Sequence, residues 1–551
     1  MPLTRRDLLT WGIMVGGATL LPGGRRIARA DALPPSPPTR PFIVELTGDN
    51  GGLPPIASRV PAFATQSDPA DCVNVDGTTA FHVHGPRVVS PNTEFFLIHE
   101  KPVQHSFHPD LPRNNLWGYD GLIPGPTFVA RSGTPQLVRF VNDLPEHDPV
   151  RIGEPITAIH PHGGFQAPED DGYPLDTFCS GQSRDYFYPN RPEAGTPQNE
   201  HSTNWYHDHA IDITAENVYR GLAGFFLYHN DRDTGDEGTG LRLPSNTFNG
   251  QPIGPFDIPL VIQDRLFDRH GFLVYNSFDH DGFIGDTFLV NGKIQPFLRV
   301  ARRKYRFRFL NGSNARVYQF FLSNGKHLVA IGTDSTLLER PVTVPSFRIA
   351  PAERVEVIID FTNTAGEIFL VNRLEQTDGR KPAGLVSPGT PILKFVVDPQ
   401  LDATDHSQVP ATLLPVTEGP TQLLPRVKVQ RTFEFERSDG AWVINGQFFD
   451  ENRINAKPRR GEPEIWILKS GGGWVHPVHI HLSDFFILSR DGKTPPPLEQ
   501  GRKETVLIGG DVGAEVRMLI TFDEFLGRYV FHCHNIEYED MRMMAQFEVQ
   551  P

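Results

Sequence analysis

The sequence predicts an all-β protein built from three homologous β-sandwiches, and three observations carry that expectation. Short runs of apolar–polar alternation recur, at 136–141, 305–309, 354–361 and 546–549, with Gly, Pro, Asn and Asp between them. Segments with a 3.6-residue period are scarce. One phrase also recurs at spacings of roughly 150 to 170 residues, the mark of a repeated domain. Trp117-Gly118-Tyr119-Asp120-Gly121 precedes the strand-like run 137–142. Phe288-Leu289-Val290-Asn291-Gly292 precedes 305–311, and Trp442-Val443-Ile444-Asn445-Gly446 precedes 464–468.

Composition agrees. With 51 glycines and 51 prolines among 551 residues, the chain is too rich in turn formers for a helical bundle, and it lacks the repeat of collagen. At about 150 residues per domain, the length allows three or four domains. A net charge of −14 argues against a general nucleic-acid binder. Three cysteines exclude a disulfide scaffold, and six methionines exclude a Met-rich surface for soft metals.

Taken in order, the first thirty residues read as an export signal. Thr4-Arg5-Arg6-Asp7-Leu8-Leu9 is followed by an apolar run from Leu8 to Leu21, broken by Gly12, Gly16 and Gly17. Pro22 ends the run, and Ala28-Arg29-Ala30 has the form of a cleavage site. Paired arginines of this kind mark twin-arginine export. The run is shorter than the ~20 apolar residues of a membrane span. The expectation is therefore a protein exported folded to the periplasm or beyond, with the twin-arginine translocase as a transient partner and no stable span. Residues 31 to about 60 are Pro-rich and are expected to wrap the surface. The expected division is a first domain with its N-terminal extension over 31–240, a second over 241–398, a Pro- and Thr-rich linker over 399–425, and a third over 426–551.

Four histidine clusters carry the chemistry: His160-Pro161-His162-Gly163, Trp205-Tyr206-His207-Asp208-His209, His476-Pro477-Val478-His479-Ile480-His481, and His532-Cys533-His534. Nine of the 21 histidines sit in them. In a strand, residues i and i+2 face one side, so each His-x-His offers two imidazoles to one metal cluster. In the fourth motif Cys533 must face away from His532 and His534. One strand then presents a thiolate to one side and imidazoles to the other, which suits two metal centres joined by short covalent paths. Cys with His suits copper in electron transfer, and imidazole clusters suit copper that meets oxygen.

In this ordered four-motif set the sequence resembles the multicopper oxidases, a family that includes laccases, bilirubin oxidases, spore-coat laccases and phenoxazinone synthases. The resemblance covers about residues 110 to 551. It implies three consecutive cupredoxin-like Greek-key β-sandwiches, with a trinuclear copper cluster between the first and third. Carried over by residue, it implies that His160 and His479 hold the type 2 copper. His162, His207, His209, His481, His532 and His534 would hold the type 3 pair. His476, Cys533 and Met543 match ligands of the mononuclear type 1 copper, with Met543 axial. Asp171 and Glu539 match acids that help deliver protons to reduced oxygen. A further His-x-His-Gly, Phe81-His82-Val83-His84-Gly85, precedes the repeat phrase that the family motif should follow, so His82 and His84 are expected to be structural or surface groups. Cys72 and Cys179 are able to pair in an oxidising compartment, which sequence alone leaves open.

The chain departs from the family at one place. Tyr538 occupies the position of the second equatorial histidine of the type 1 copper, with no gap in the flanking residues. A neutral phenol with a pKa near ~10 is a poor ligand beside imidazole. It either binds as phenolate, leaves copper to Cys533, His476 and Met543 alone, or empties the site. The resemblance thus implies a monomeric, laccase-like oxidase with three to four coppers. It would take electrons from a small phenolic, aminophenolic or pigment-like substrate and pass them to dioxygen, with activity weakened by Tyr538. The alternative is a copper-binding cupredoxin-fold protein of the cell envelope without turnover.

Overall fold

The structure is a computed structural model that describes residues 33–49, 51–191, 201–277, 281–415, 418–438 and 440–551. The export signal expected at 1–30 lies outside them. Strands dominate, and the longest helix among the described residues is Thr214–Arg220.

The repeated phrase is a hairpin turn used three times. Asp120 and Gly121, Asn291 and Gly292, and Asn445 and Gly446 all have positive φ, between 48° and 72°. That is the backbone of a two-residue primed turn, which Asn-Gly and Asp-Gly tolerate best. In each copy the side-chain oxygen of the first residue accepts a backbone N–H from a neighbouring strand. Asp120 takes that of His99 at 3.0 Å, Asn291 that of Val261 at 2.8 Å, and Asn445 that of Glu434 at 2.7 Å. An Asp-Gly or Asn-Gly pair therefore closes the same hairpin in three domains.

Each repeat folds into two sheets over its own core. The first core gathers Trp117, Phe128, Phe140 and Tyr206, the second Phe307, Phe309, Phe320 and Phe395, and the third Trp466, Phe531 and Phe547. Fully burying one such phenylalanine contributes about 1.5–3 kcal/mol. The alternating runs noted above coincide with strands, Gln136–Asn142, Lys304–Asn311, Arg354–Asp360 and Met544–Val549, with only Phe361 of the 354–361 run lying one residue past its strand.

Two four-stranded sheets position the histidines. In the first domain the order is Gly125–Arg131, Ala223–His229, Thr203–Asp208, Ile159–His162. In the third it is Thr505–Ile508, His476–Ile480, Gly527–Cys533, Met544–Val549. The middle domain supplies none of the nine clustered histidines. It is joined to its neighbours by buried ion pairs, Arg306 with Asp233 at 2.7 Å, Lys503 with Asp334 at 2.9 Å, and Arg354 with Glu504.

The N-terminal extension lies along the first two domains, pairing Ile56 with Thr127 and Glu45 with Phe297. Cys72 and Cys179 form a disulfide that pins it, and Arg87 grips Asp170 through two hydrogen bonds of 2.5 and 2.6 Å. No helix among the described residues is long and apolar enough to cross a membrane.

Candidate metal centre

Strand register brings the motifs together. The strands of the first two motifs are antiparallel neighbours, with His160 opposite His207. In the third domain His479 lies opposite His532 and Val478 opposite Cys533. Paired residues share a face, so His479 and His532 point one way while Val478 and Cys533 point into the sandwich core. The two histidine faces meet across the boundary between the first and third domains.

All eight cluster imidazoles are buried, none more than 1% exposed. The nitrogens of His162, His207 and His534 converge within 4.8 Å, as do those of His209, His481 and His532, and those of His160, His479 and His481. His160 Nε2 faces His479 Nε2 at 3.3 Å. His532 Nε2 faces His209 Nε2 at 3.2 Å and His481 Nε2 at 3.3 Å.

The outer nitrogens explain why these contacts call for a cation. His160 Nδ1 donates to the Asp171 carbonyl at 2.6 Å, His479 Nδ1 to the Glu504 carbonyl at 3.0 Å, and His207 Nδ1 to the Asp208 carbonyl at 2.7 Å. A neutral imidazole has one N–H, so each of these rings turns a lone pair inward. Burial pushes His160, His162, His479, His481 and His534 well below the usual imidazole range, His207 to about 3 and His209 to about 4. Between His160 and His479 two acceptor nitrogens therefore face each other with no proton between them. The inner nitrogens of His207 and His534, and His162 Nδ1, have no hydrogen-bond partner. Buried orphan acceptors on converging rings fit a metal, and an all-imidazole donor set fits copper.

Both expected acids touch the cluster. Asp171 accepts His481 Nδ1 at 2.6 Å and Gln166 Nε2 at 2.5 Å, and burial pushes its carboxyl well above the usual range. Glu539 lies under the other side, 3.0 Å from His532 Nδ1 and 3.3 Å from His209 Nδ1. Burial alone would raise it, but His532 and His209 outweigh that and hold it at about 2.

On the core side of the same strand, Cys533 Sγ lies 3.5 Å from His476 Nδ1, and His476 Nε2 has no hydrogen-bond partner. Met543 is buried in the same core cluster. The Tyr538 ring stacks on Trp442 with centroids 3.8 Å apart, and its ring centre lies 5.7 Å from that of His476. Its hydroxyl donates to the Asp281 carbonyl at 2.9 Å, with the Gly379 carbonyl at 3.3 Å. Burial pushes this phenol up, so it stays protonated.

The remaining His-x-His stands outside the cluster. His82 pairs with Asp176 at 2.7 Å, and His84 lies 3.7 Å from Glu169. One group at the cluster has no sequence signal, Glu504. Its carboxylate oxygen is 3.3 Å from His162 Nε2, and it forms a metal-competent group with His162 and His479. A single acid on a loop before a strand belongs to no spacing pattern, so only the folded contacts reveal it.

Three family profiles described as multicopper oxidase match residues 103–233, 245–393 and 421–551. A bilirubin oxidase of Albifimbria verrucaria is 36% identical over 468 residues, covering 82% of this chain and 76% of its own. A laccase of Bacillus subtilis (strain 168) is 32% identical over 516 residues, covering 84% and 95%. Among solved structures, a multicopper oxidase from Pediococcus acidilactici superposes with a TM-score of 0.72 at 24% identity, covering 96% and 94% of the two chains.

Proposed function

The chain belongs to the multicopper oxidase family, and from that premise we propose that it is an exported, laccase-like oxidase. It couples one-electron oxidation of a phenolic, aminophenolic or pigment-like donor to the four-electron reduction of dioxygen to water. The observation that carries this reading is the set of eight buried imidazoles, in which His160 and His479 face each other through inner nitrogens without a proton and the others converge in groups of three. His160 and His479 would hold one copper, His162, His207 and His534 a second, and His209, His481 and His532 a third, with His476, Cys533 and Met543 left for a fourth. Copper bound there supplies one-electron chemistry with the donor and the means to reduce oxygen.

The protein's own residues do the rest. Cys533 is joined by one peptide bond to His532 and by another to His534, so the thiolate side of the strand connects covalently to the imidazole side. Asp171 orients His160 through its carbonyl and His481 through its carboxylate. Raised by burial, that carboxyl is placed to hold a proton beside the cluster. Glu539, held low, lies 3.3 Å from His209 Nδ1 and 3.0 Å from His532 Nδ1, so its carboxylate faces the outer side of both rings. Outer partners of this kind set ring orientation and ligand basicity. The names laccase and bilirubin oxidase borne by two relatives support the donor class.

A second reading, copper binding without turnover, is favoured by Tyr538, whose hydroxyl is held on the Asp281 carbonyl instead of facing Cys533 as a ligand. Copper stoichiometry combined with oxygen consumption on a phenolic donor separates the two. The oxidase reading expects about three to four coppers per chain and donor-dependent oxygen uptake. Full copper without uptake would leave only the second reading, and no copper would defeat both.

Export is part of the proposal. The Cys72–Cys179 disulfide suits an oxidising compartment. Replacing Arg5 and Arg6 together with Lys keeps the charge but alters the paired-arginine signal, and the precursor should then stay in the cytoplasm. Normal appearance of cleaved protein outside the inner membrane would favour general secretion instead.

A further inference from the structure

We propose that Glu504 is a positioning residue for His162, clamped by the middle domain, and that it selects which nitrogen His162 turns to the metal. The inference rests on the copper reading above.

His162 differs from its neighbours. His160, His207, His479 and His481 have Nδ1 tied to an oxygen, which turns Nε2 inward. In His162 the arrangement is reversed. Nε2 faces the Glu504 carboxylate at 3.3 Å and Thr505 Oγ1 at 3.3 Å, while Nδ1 is buried without a hydrogen-bond partner. A carboxylate can only accept, so at this distance it favours the ring proton on Nε2 and leaves the Nδ1 lone pair open, on a ring that groups with His207 and His534. Thr505 alone would not decide this, because a hydroxyl either donates or accepts. If it donated to Nε2, the ring proton would move to Nδ1 and block that lone pair.

Glu504 is itself held from the middle domain. The Arg354 guanidinium grips one carboxylate oxygen, and Ser335 Oγ donates to the other at 2.7 Å. Arg354 Nε also donates to the Thr203 carbonyl at 3.0 Å, on the strand that carries His207. The adjacent pair runs parallel, Lys503 with Glu353 at 3.2 Å. Asp334 ties the two together, accepting Lys503 Nζ at 2.9 Å, the N–H of Glu504 at 3.3 Å and the N–H of Arg354 at 3.2 Å. A domain without a clustered histidine thus places a carboxylate against a ligand of the first domain. Its contribution to the metal centre is the orientation of that ring.

The test uses Glu504→Gln, which keeps the shape but puts an amide donor within reach of His162 Nε2. Copper affinity and the electron paramagnetic resonance spectrum are compared with wild type after identical loading with cupric ion, and thermal unfolding is followed without metal. Affinity should fall by about 10–100-fold, the usual effect of losing an outer partner, and a new signal from unpaired copper should appear. Glu504→Asp keeps the charge opposite Arg354 but draws the carboxylate away from His162, and should give the same loss in a stably folded chain. Glu353→Gln breaks the parallel ion pair without touching His162. It should lower the unfolding temperature and leave copper affinity and spectrum unchanged. Wild-type copper behaviour in both Glu504 variants, or an equal loss in Glu353→Gln, would overturn the proposal. A wild-type chain that takes up no copper would overturn the underlying reading along with it.

Discussion

Tyr538→His is expected to bring up blue absorption and to raise turnover on a generic phenolic donor by about tenfold or more, at least ~1.4 kcal/mol off the barrier. A blue site needs a strong copper–thiolate bond in a trigonal set of one Cys and two His with a weak axial Met. This chain offers His476, Cys533 and Met543, and at the fourth position a phenol whose proton is held by the Asp281 carbonyl. A histidine there is too short to reach that carbonyl, and its ring nitrogen is free to serve beside Cys533. The substitution also gives up part of the stack on Trp442, a contact of about 0.5–1.5 kcal/mol. Stability should therefore fall slightly while turnover rises, a combination that simple repair of packing would not produce. The competing idea makes Tyr538 a working part. It expects intense thiolate-to-copper absorption and brisk turnover in the natural protein, with Tyr538→His lowering activity. A wild-type spectrum with a full type 1 signal and four coppers per chain would decide for it.

Replacing His162 and His481 together with Ala should remove one ligand from each of the two three-histidine groups assigned to the copper pair, and also takes His481 from beside His160 and His479. The protein is expected to lose the copper pair and to reduce oxygen more than about 100-fold more slowly, beyond the upper end for loss of a single outer partner. His476, Cys533 and Met543 are untouched, so whatever copper that site holds in the natural protein should remain. Metal analysis and oxygen consumption check both statements. Unchanged copper content would show that the ligand assignment is wrong. Each alanine also leaves space where a buried ring stood, so the unfolding temperature is read beside the copper content.

Much of the fold could be read from local pattern. The 136–141 and 305–309 runs, and all but the last residue of 354–361, lie in strands because period-2 alternation is a property of neighbouring residues. The recurring Asp-Gly and Asn-Gly phrase proved to be one hairpin turn, because few residue pairs accept two positive φ angles in succession. The separation of Cys533 from the flanking histidines also followed from alternation alone, and the register of Val478 with Cys533 agrees.

The sequence by itself determined which residue types were available for the metal centre and on which face of each strand they stand. Both are set within a few residues, by side-chain chemistry and by the pleat. Only the tertiary structure decided what those residues meet. His160 and His479 are 319 positions apart, and their facing lone pairs exist only once two domains pack together. The pairing of Cys72 with Cys179 was likewise settled by the docking of the extension on the first domain. The direction of the Tyr538 hydroxyl depends on a carbonyl contributed by Asp281 of another domain. Glu504 gains its place from Arg354 and Ser335, residues that no spacing connects to it. Each of these contacts joins distant parts of the chain, so it is fixed by packing and hydrogen-bond satisfaction, not by local periodicity.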